Sequence, residues 1–87
     1  MKQPKIKFKE DKSDEWYWIT IATNGKVLGK SSESYERLKE AKRGFNADTK
    51  ARFTLLGVAI PDNVQRLGGD FLAAMPEDRI IIERFKK

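Results

Sequence analysis

Chemistry needs side chains that can attack, ligate or move protons, and this sequence supplies few of them. No histidine and no cysteine occur among its 87 residues. Catalytic triads, thiolate nucleophiles and zinc sites built on those ligands are therefore excluded. Gly29-Lys30-Ser31 ends like a phosphate-binding loop, whose backbone N–H groups wrap phosphate in a Gly-x-x-x-x-Gly-Lys-Ser pattern. The place of its first glycine is held by Asn24, with Gly25 one position out of register. A strand running into a serine-rich turn explains the same residues. Asp11, Asp14 and Glu15 cluster, as do Glu77 and Asp78, but short polar turns attract carboxylates for solvation and backbone hydrogen bonding. The first cluster also lacks the alternating oxygen ligands, central glycine and terminal glutamate of a calcium loop. No catalytic residue, cofactor or metal is expected, and the chain reads as a non-enzymatic protein.

Binding is what remains, and charge and apolar surface are the features to weigh. The net charge of +5 is uneven: residues 1–12 carry +3, 13–35 carry −1, 36–52 carry +3, 53–78 carry −3 and 79–87 carry +3. If the basic segments converge, Lys5, Lys7, Lys9, Lys42, Arg43, Arg84, Lys86 and Lys87 form a patch for nucleic acid. If they do not, the charge is a solvated surface of ordinary size.

The elements that must position these residues follow from periodicity. Lys5-Ile6-Lys7-Phe8-Lys9 alternates with period two, a half-buried strand with its lysines outward. Trp16 to Ala22 is dominated by aromatic and β-branched residues and predicts a second strand. Asn24-Gly25 predicts a two-residue hairpin turn with φ > 0 at both positions, returning through Lys26 to Gly29. Ser31, Ser32 and Ser34 offer helix-capping chemistry, and Leu38, Ala41, Phe45 and Thr49 then form one stripe of a helix of about four turns. Gly44 on that helix suggests close approach to the sheet. Beyond residue 50, Phe53 to Ile60 reads as a strand bounded by Pro61. Val64, Leu67, Phe71, Leu72 and Met75 are spaced as a helix ended by Pro76, with Gly68-Gly69 as its weak point, and Ile80-Ile81-Ile82 starts a last strand.

In order and spacing, Phe8, Lys12, Trp16, Trp18, Ala22, Asn24-Gly25, Val27-Leu28, Ser31, Ser34-Tyr35, Ala41 and Gly44-Phe45 resemble the YegP-like family of small bacterial domains of unknown function. The likeness covers residues 6–46. It implies a three-stranded antiparallel sheet with a helix packed on it, a unit commonly duplicated in tandem or paired as a dimer. Two departures stand out. Only one copy of the unit is present, and strand two carries Tyr17, Ile19 and Ile21 opposite Trp16, Trp18 and Ala22, where family members often place polar residues. A strand apolar on both faces does not suit a sheet solvated on one side. Either the C-terminal half or a second subunit is expected to cover that face.

The expected protein is a single α+β domain over 1–87: a three-stranded antiparallel meander with a helix packed on it (β-β-β-α, residues 6–50), extended by a C-terminal strand-helix-strand segment (51–87) that completes the core or forms an interface. The expected function is a small basic binding module acting through protein–protein association, as a homodimer or with another protein, with Tyr17, Ile19 and Ile21 as interface. A nucleic-acid-binding domain using the basic residues above is the alternative. Apolar stretches such as Leu55 to Ile60 and Ile80 to Ile82 fall well short of the roughly 18–20 residues that span a bilayer. With no apolar segment after the N-terminal Met-Lys-Gln-Pro-Lys, a cytoplasmic setting and no membrane partner are expected.

Overall fold

A computed structural model describes residues 3–85. Strands β1 (Lys5–Glu10), β2 (Trp16–Ile21) and β3 (Val27–Lys30) are followed by helix α1 (Leu38–Leu55), a short helix α2 (Asp62–Arg66), a single 3₁₀ turn (Glu77–Arg79) and strand β4 (Ile80–Glu83). The fold is α+β, but the sheet is not a three-stranded meander. It has four strands in the order β3-β2-β1-β4, with β4 parallel to β1 and the other pairs antiparallel. The C-terminal segment therefore enlarges the sheet at the free edge of β1.

Local chemistry explains the other differences from expectation. Asn24-Gly25 does make the hairpin, but the loop has three residues. Gly25 N–H donates to Ala22 O at 2.9 Å, Ala22 N–H donates to Lys26 O at 2.8 Å, and Gly25 alone takes positive φ (+85°). This is a tight turn followed by a left-handed residue, and a bulge between Thr20 and Ile21 absorbs the extra position. The serines cap no helix, since Arg37 holds the N-cap position without a side-chain bond. Ser31 instead ties the sheet edge: Trp18 N–H donates to its Oγ at 3.3 Å, and that hydroxyl donates to Glu33 O at 2.9 Å.

The strand expected over Phe53 to Ile60 is the end of α1 and an extended segment. Phe53 continues the Phe45–Thr49 stripe at helical spacing, and Gly57 (φ +69°) stops the helix. There Val58 N–H donates to Phe53 O and Gly57 N–H to Thr54 O, the paired bonds that satisfy the last carbonyls of a helix. The same device stops α2 after five residues: Gly69 N–H donates to Val64 O and Gly68 N–H to Gln65 O, both glycines having positive φ. The longer helix expected to reach Met75 is thus cut at the two glycines, and Phe71 and Leu72 turn inward as a separate hydrophobic pair.

One face of the sheet meets α1 and the C-terminal segment in a continuous core of Ile6, Phe8, Trp16, Trp18, Ala41, Phe45, Val64, Phe71 and Leu72. Phe8 is wholly buried. Its ring lies 6.2 Å from Phe45, edge-on, and 6.4 Å from Trp18, while Trp18 meets Phe45 edge-on at 5.8 Å. Asn46 on α1 fastens the C-terminal segment to this core. Its amide donates to Asp70 Oδ1 at 2.9 Å, and its Oδ1 accepts from Phe71 N–H at 3.0 Å. Asp70 Oδ1 also accepts from Ala73 N–H at 3.0 Å. That backbone bond, then the Asn46 bond, hold the Asp70 carboxyl below its ordinary value near 3.8.

Gly44 is required by Tyr35. The Tyr35 ring stacks on Trp18 at 5.8 Å and 18°, and its backbone exchanges hydrogen bonds with Trp16. A methyl group at Gly44 would lie 2.6 Å from Tyr35 Cζ and closer still to its hydroxyl. Burial, with Glu33 and Asp48 nearby, pushes that hydroxyl above its ordinary range. Gly44→Ala should gain up to about 1 kcal/mol of helix propensity but lose more to overlap, typically about 1–3 kcal/mol. A net loss is expected by urea denaturation, reduced in a Tyr35→Phe background that removes the nearest atom. Asn46→Ala should cost about 1–2 kcal/mol by leaving Phe71 N–H without its acceptor. Because the native Asp70 pKa is depressed, its stabilisation is present above about pH 3.8 and is lost as pH falls through the lower native value. Acid titration of the Asn46→Ala variant should therefore show a weaker fall over that window than the wild type.

Candidate functional site

The second sheet face is the distinctive surface, and strand alternation builds it. Ile6 and Phe8 point to the helix, so Lys5, Lys7 and Lys9 point away; Trp16 and Trp18 point to the helix, so Tyr17, Ile19 and Ile21 point away. Register then sets neighbours. Lys5 lies beside Ile21, Lys7 beside Ile19 and Lys9 beside Tyr17. On β3, Lys30 lies beside Ile19 and Val27 beside Ile21, and on β4, Ile81 lies beside Lys7 and Glu83 beside Lys9. The interface candidates and the first three basic candidates thus share one face: an aliphatic strip of Ile19, Ile21, Val27 and Ile81 interleaved with lysines.

The C-terminal half does not cover this face as one reading expected. Val64, Phe71 and Leu72 join the helix-side core, and β4 only widens the sheet. Tyr17, Ile19, Ile21 and Ile81 are half-buried by their strand neighbours, and Val27 is exposed.

Charge on the face is partly engaged. Glu83 accepts from Lys7 Nζ at 3.3 Å and sits 3.7 Å from Lys9 Nζ. Lys7 first, through its hydrogen bond and its charge, and then Lys9 hold the Glu83 carboxyl below its ordinary value. Lys30 Nζ stands 4.7 Å above the Tyr17 ring, a cation–π contact. At the Tyr17 end lies an open cleft of about 620 Å³ bordered by Lys9, Lys12, Tyr17, Glu83, Arg84 and Phe85. Glu10 and Asp11 also border it, so charges of both signs alternate there.

Of the remaining basic candidates within the described residues, Arg84 reaches the margin of this surface, whereas Lys42 and Arg43 do not. Lys42 and Arg43 lie on α1 beside a groove with Asn46, Asp70 and Ile80, in the other layer. Arg84 sets its guanidinium 5.2 Å from the Trp16 ring while bordering the cleft at the Tyr17 end. Lys86 and Lys87 lie outside the described residues. The expected single basic patch is therefore divided among the described residues. The carboxylate clusters have structural partners: Asp11 Oδ1 accepts from Ser13 N–H at 2.8 Å and from Glu15 N–H at 3.1 Å, and Glu77 and Asp78 open the 3₁₀ turn. Among the described residues no acidic group is gathered to hold a metal, and no helix is long and apolar enough to cross a membrane.

Sequence reasoning missed Val27, Lys30, Ile81, Glu83 and Phe85 on or beside this face. Strict alternation would set Lys30 on the face opposite Val27, and it is the bulge at Thr20/Ile21 that brings both to this face; Ile81 and Glu83 depend on the parallel pairing of β4 with β1, which no local pattern encodes.

Comparison with known proteins covers part of this chain. Residues 11–47 match the family model of a domain of unknown function (DUF1508), the family of the YegP-like resemblance. The chain is similar to a protein from Haloferax volcanii with an NMR solution structure, at 26% identity and a TM-score of 0.52 over 57% of this chain and 83% of that one. No curated protein matches. The family segment ends inside α1, so α2, β4 and the Ile81–Glu83 part of the open face lie outside it.

The Lys7–Glu83–Lys9 cluster carries its own test. A depressed native pKa means that Glu83 contributes stability above its ordinary value near 4.5, lost as pH falls through the native value. Carboxyl titration by NMR should place Glu83 below its ordinary value near 4.5, and Lys7→Ala should raise it toward that value.

Proposed function

We propose that the protein is a non-enzymatic binding module of the cytoplasm whose open sheet face engages a second, acidic protein. The observation that carries this reading is the interleaving of Ile19, Ile21, Val27 and Ile81 with Lys5, Lys7, Lys9 and Lys30 on a face that no described element covers. Aliphatic side chains gain from burial at about 25 cal/mol per Å² but offer bases no stacking surface, and Tyr17 already carries Lys30. Two copies of this face laid against each other would bring like charges together, so the fitting occupant is a different chain with acidic residues around an apolar centre. The division of the basic residues between layers, and the hold of Glu83 on Lys7 and Lys9, weigh against nucleic acid.

Affinity capture from nuclease-treated lysate, with wild-type and Ile19→Lys baits, tests the proposal. A protein partner retained by the wild type in about 0.3 M salt, where surface charges are strongly screened, should be bound at least about tenfold more weakly by Ile19→Lys. Far-UV circular dichroism and urea midpoints check that the variant is folded. Capture that vanishes with nuclease, together with oligonucleotide binding that weakens steeply with salt, would assign the face to nucleic acid instead. If Ile19→Lys and Ile21→Lys both unfold the chain, these residues serve its own stability and the interface lies elsewhere.

A further inference from the structure

We infer that the groove between α1 and the C-terminal segment is a binding site for a small aliphatic carboxylate, a ligand of the fatty-acid class. The groove has a volume of about 410 Å³, within the range of about 300–1,000 Å³ common to small-molecule sites. Its two walls differ in character. Lys39, Lys42 and Arg43 stand on one wall with Asn46, and spacings of three and four residues put them on one flank of α1. Leu72, Ala73 and Ile80 form the apolar wall. Leu72 belongs to the buried core and Ile80 packs against that core, so the fold holds this wall in place.

What is left unused in the groove selects the ligand. Asn46 and Asp70 are committed to each other and to the backbone: Asn46 Oδ1 accepts from Phe71 N–H at 3.0 Å and from Leu72 N–H at 3.4 Å, and Asp70 Oδ1 accepts from Ala73 N–H. The three cations are not committed. Among the described residues, the side chains of Lys39, Lys42 and Arg43 form no ion pair or hydrogen bond. Of the influences on the Asp70 carboxyl the largest is the Ala73 backbone bond, and the charge of Lys42 is the smallest. Like charges three and four residues apart on a helix repel, and a bound anion relieves that repulsion.

An anion with an aliphatic body meets both walls. Its carboxylate suits the fork of Arg43, with the two lysines as further donors, and its chain lies on Leu72, Ala73 and Ile80, where loss of apolar area to water favours it. Other anions match only part of the groove. Inorganic phosphate has nothing to place on the apolar wall, and the N–H groups of residues 71–73 that could hold it are already bonded. A nucleotide finds no aromatic side chain in the lining on which to stack its base. A peptide brings backbone amides onto an apolar surface that does not satisfy them. The ligand is small and the groove open, so a dissociation constant on the order of 0.1–1 mM is expected. The groove lies in the layer opposite the open sheet face and does not depend on the function proposed for that face.

Amide NMR of the full chain titrated with octanoate to about 10 mM, well above that constant, should show saturable one-to-one shifts at Lys39, Lys42, Arg43, Ala73 and Ile80 and none at Ile19 or Ile21. Octanol, which lacks the charge, and acetate, which lacks the chain, should each bind at least about tenfold more weakly. The double variant Lys39→Gln, Arg43→Gln should also lose about tenfold or more in affinity. Ala73→Glu, which sets a carboxylate at an exposed position of the apolar wall, should do the same. Lys39 and Arg43 are exposed, so their exchange should leave the far-UV spectrum unchanged and decides the matter should Ala73→Glu unfold. Ile19→Lys should bind octanoate as the wild type does. No saturable binding, an equal response to octanol or acetate, shifts centred on the open sheet face, an affinity indifferent to the folded variants, or a glutamate-rich peptide filling the groove where octanoate does not would each overturn the inference.

Discussion

The rest of the structure depends on the burial of Phe8. It lies on β1, an interior strand paired on both sides, and among the described residues it is the one large side chain with no solvent exposure. Trp18 and Phe45 meet it with tilted and edge-on rings, arrangements that add to area burial because ring edges are positive and faces negative. This contact sets the helix against the sheet and commits β1 to one facing. Once Phe8 and Ile6 are inside, Lys5, Lys7 and Lys9 are outside, and the composition of the open face is decided.

From that constraint the two layers take opposite characters. On the helix side, apolar groups from both halves of the chain close over the aromatic cluster, and Asn46 satisfies backbone donors where the C-terminal segment turns in. On the other side no described element forms a second layer, yet the sheet carries β-branched aliphatics at its centre. A sheet of this kind has an unmet hydrophobic term on one face, softened by lysine stems that lie along neighbouring isoleucines while their ammonium groups stay in water. The Lys7–Glu83–Lys9 cluster is exposed and contributes little to stability. Its effect is to fix where charge sits beside the aliphatic strip.

The C-terminal segment is where local and long-range forces compete. Aliphatic residues from Phe53 to Ile60 have the composition of a strand, but Phe53 falls on the stripe of Phe45 and Thr49, and Gly57 supplies a helix stop at once. The helix wins because its backbone bonds are local and Gly57 caps it where they end. At Gly68 and Gly69 the reverse happens: the spacing of Val64, Leu67 and Phe71 suits a helix, but two left-handed glycines complete a cap and end it. In both places the arrangement of glycines, more than hydrophobic spacing, decided the outcome.

The sequence by itself determined the first three strands, the hairpin at Asn24-Gly25, the stripe of α1, and the sidedness of β1 and β2, because each is set by periods of two or 3.6 residues and by turn chemistry within a few positions. It also placed Tyr17, Ile19 and Ile21 on one face and excluded chemistry that needs histidine or cysteine. Only the tertiary structure decided that Lys5, Lys7 and Lys9 share that face with them while Lys42 and Arg43 do not, and that Ile81 and Glu83 complete it. The parallel pairing of β4 with β1 joins residues more than seventy positions apart. No local signal specifies such a contact, since it forms only when the helix-side core has brought the end of the chain back to the free edge of its first strand.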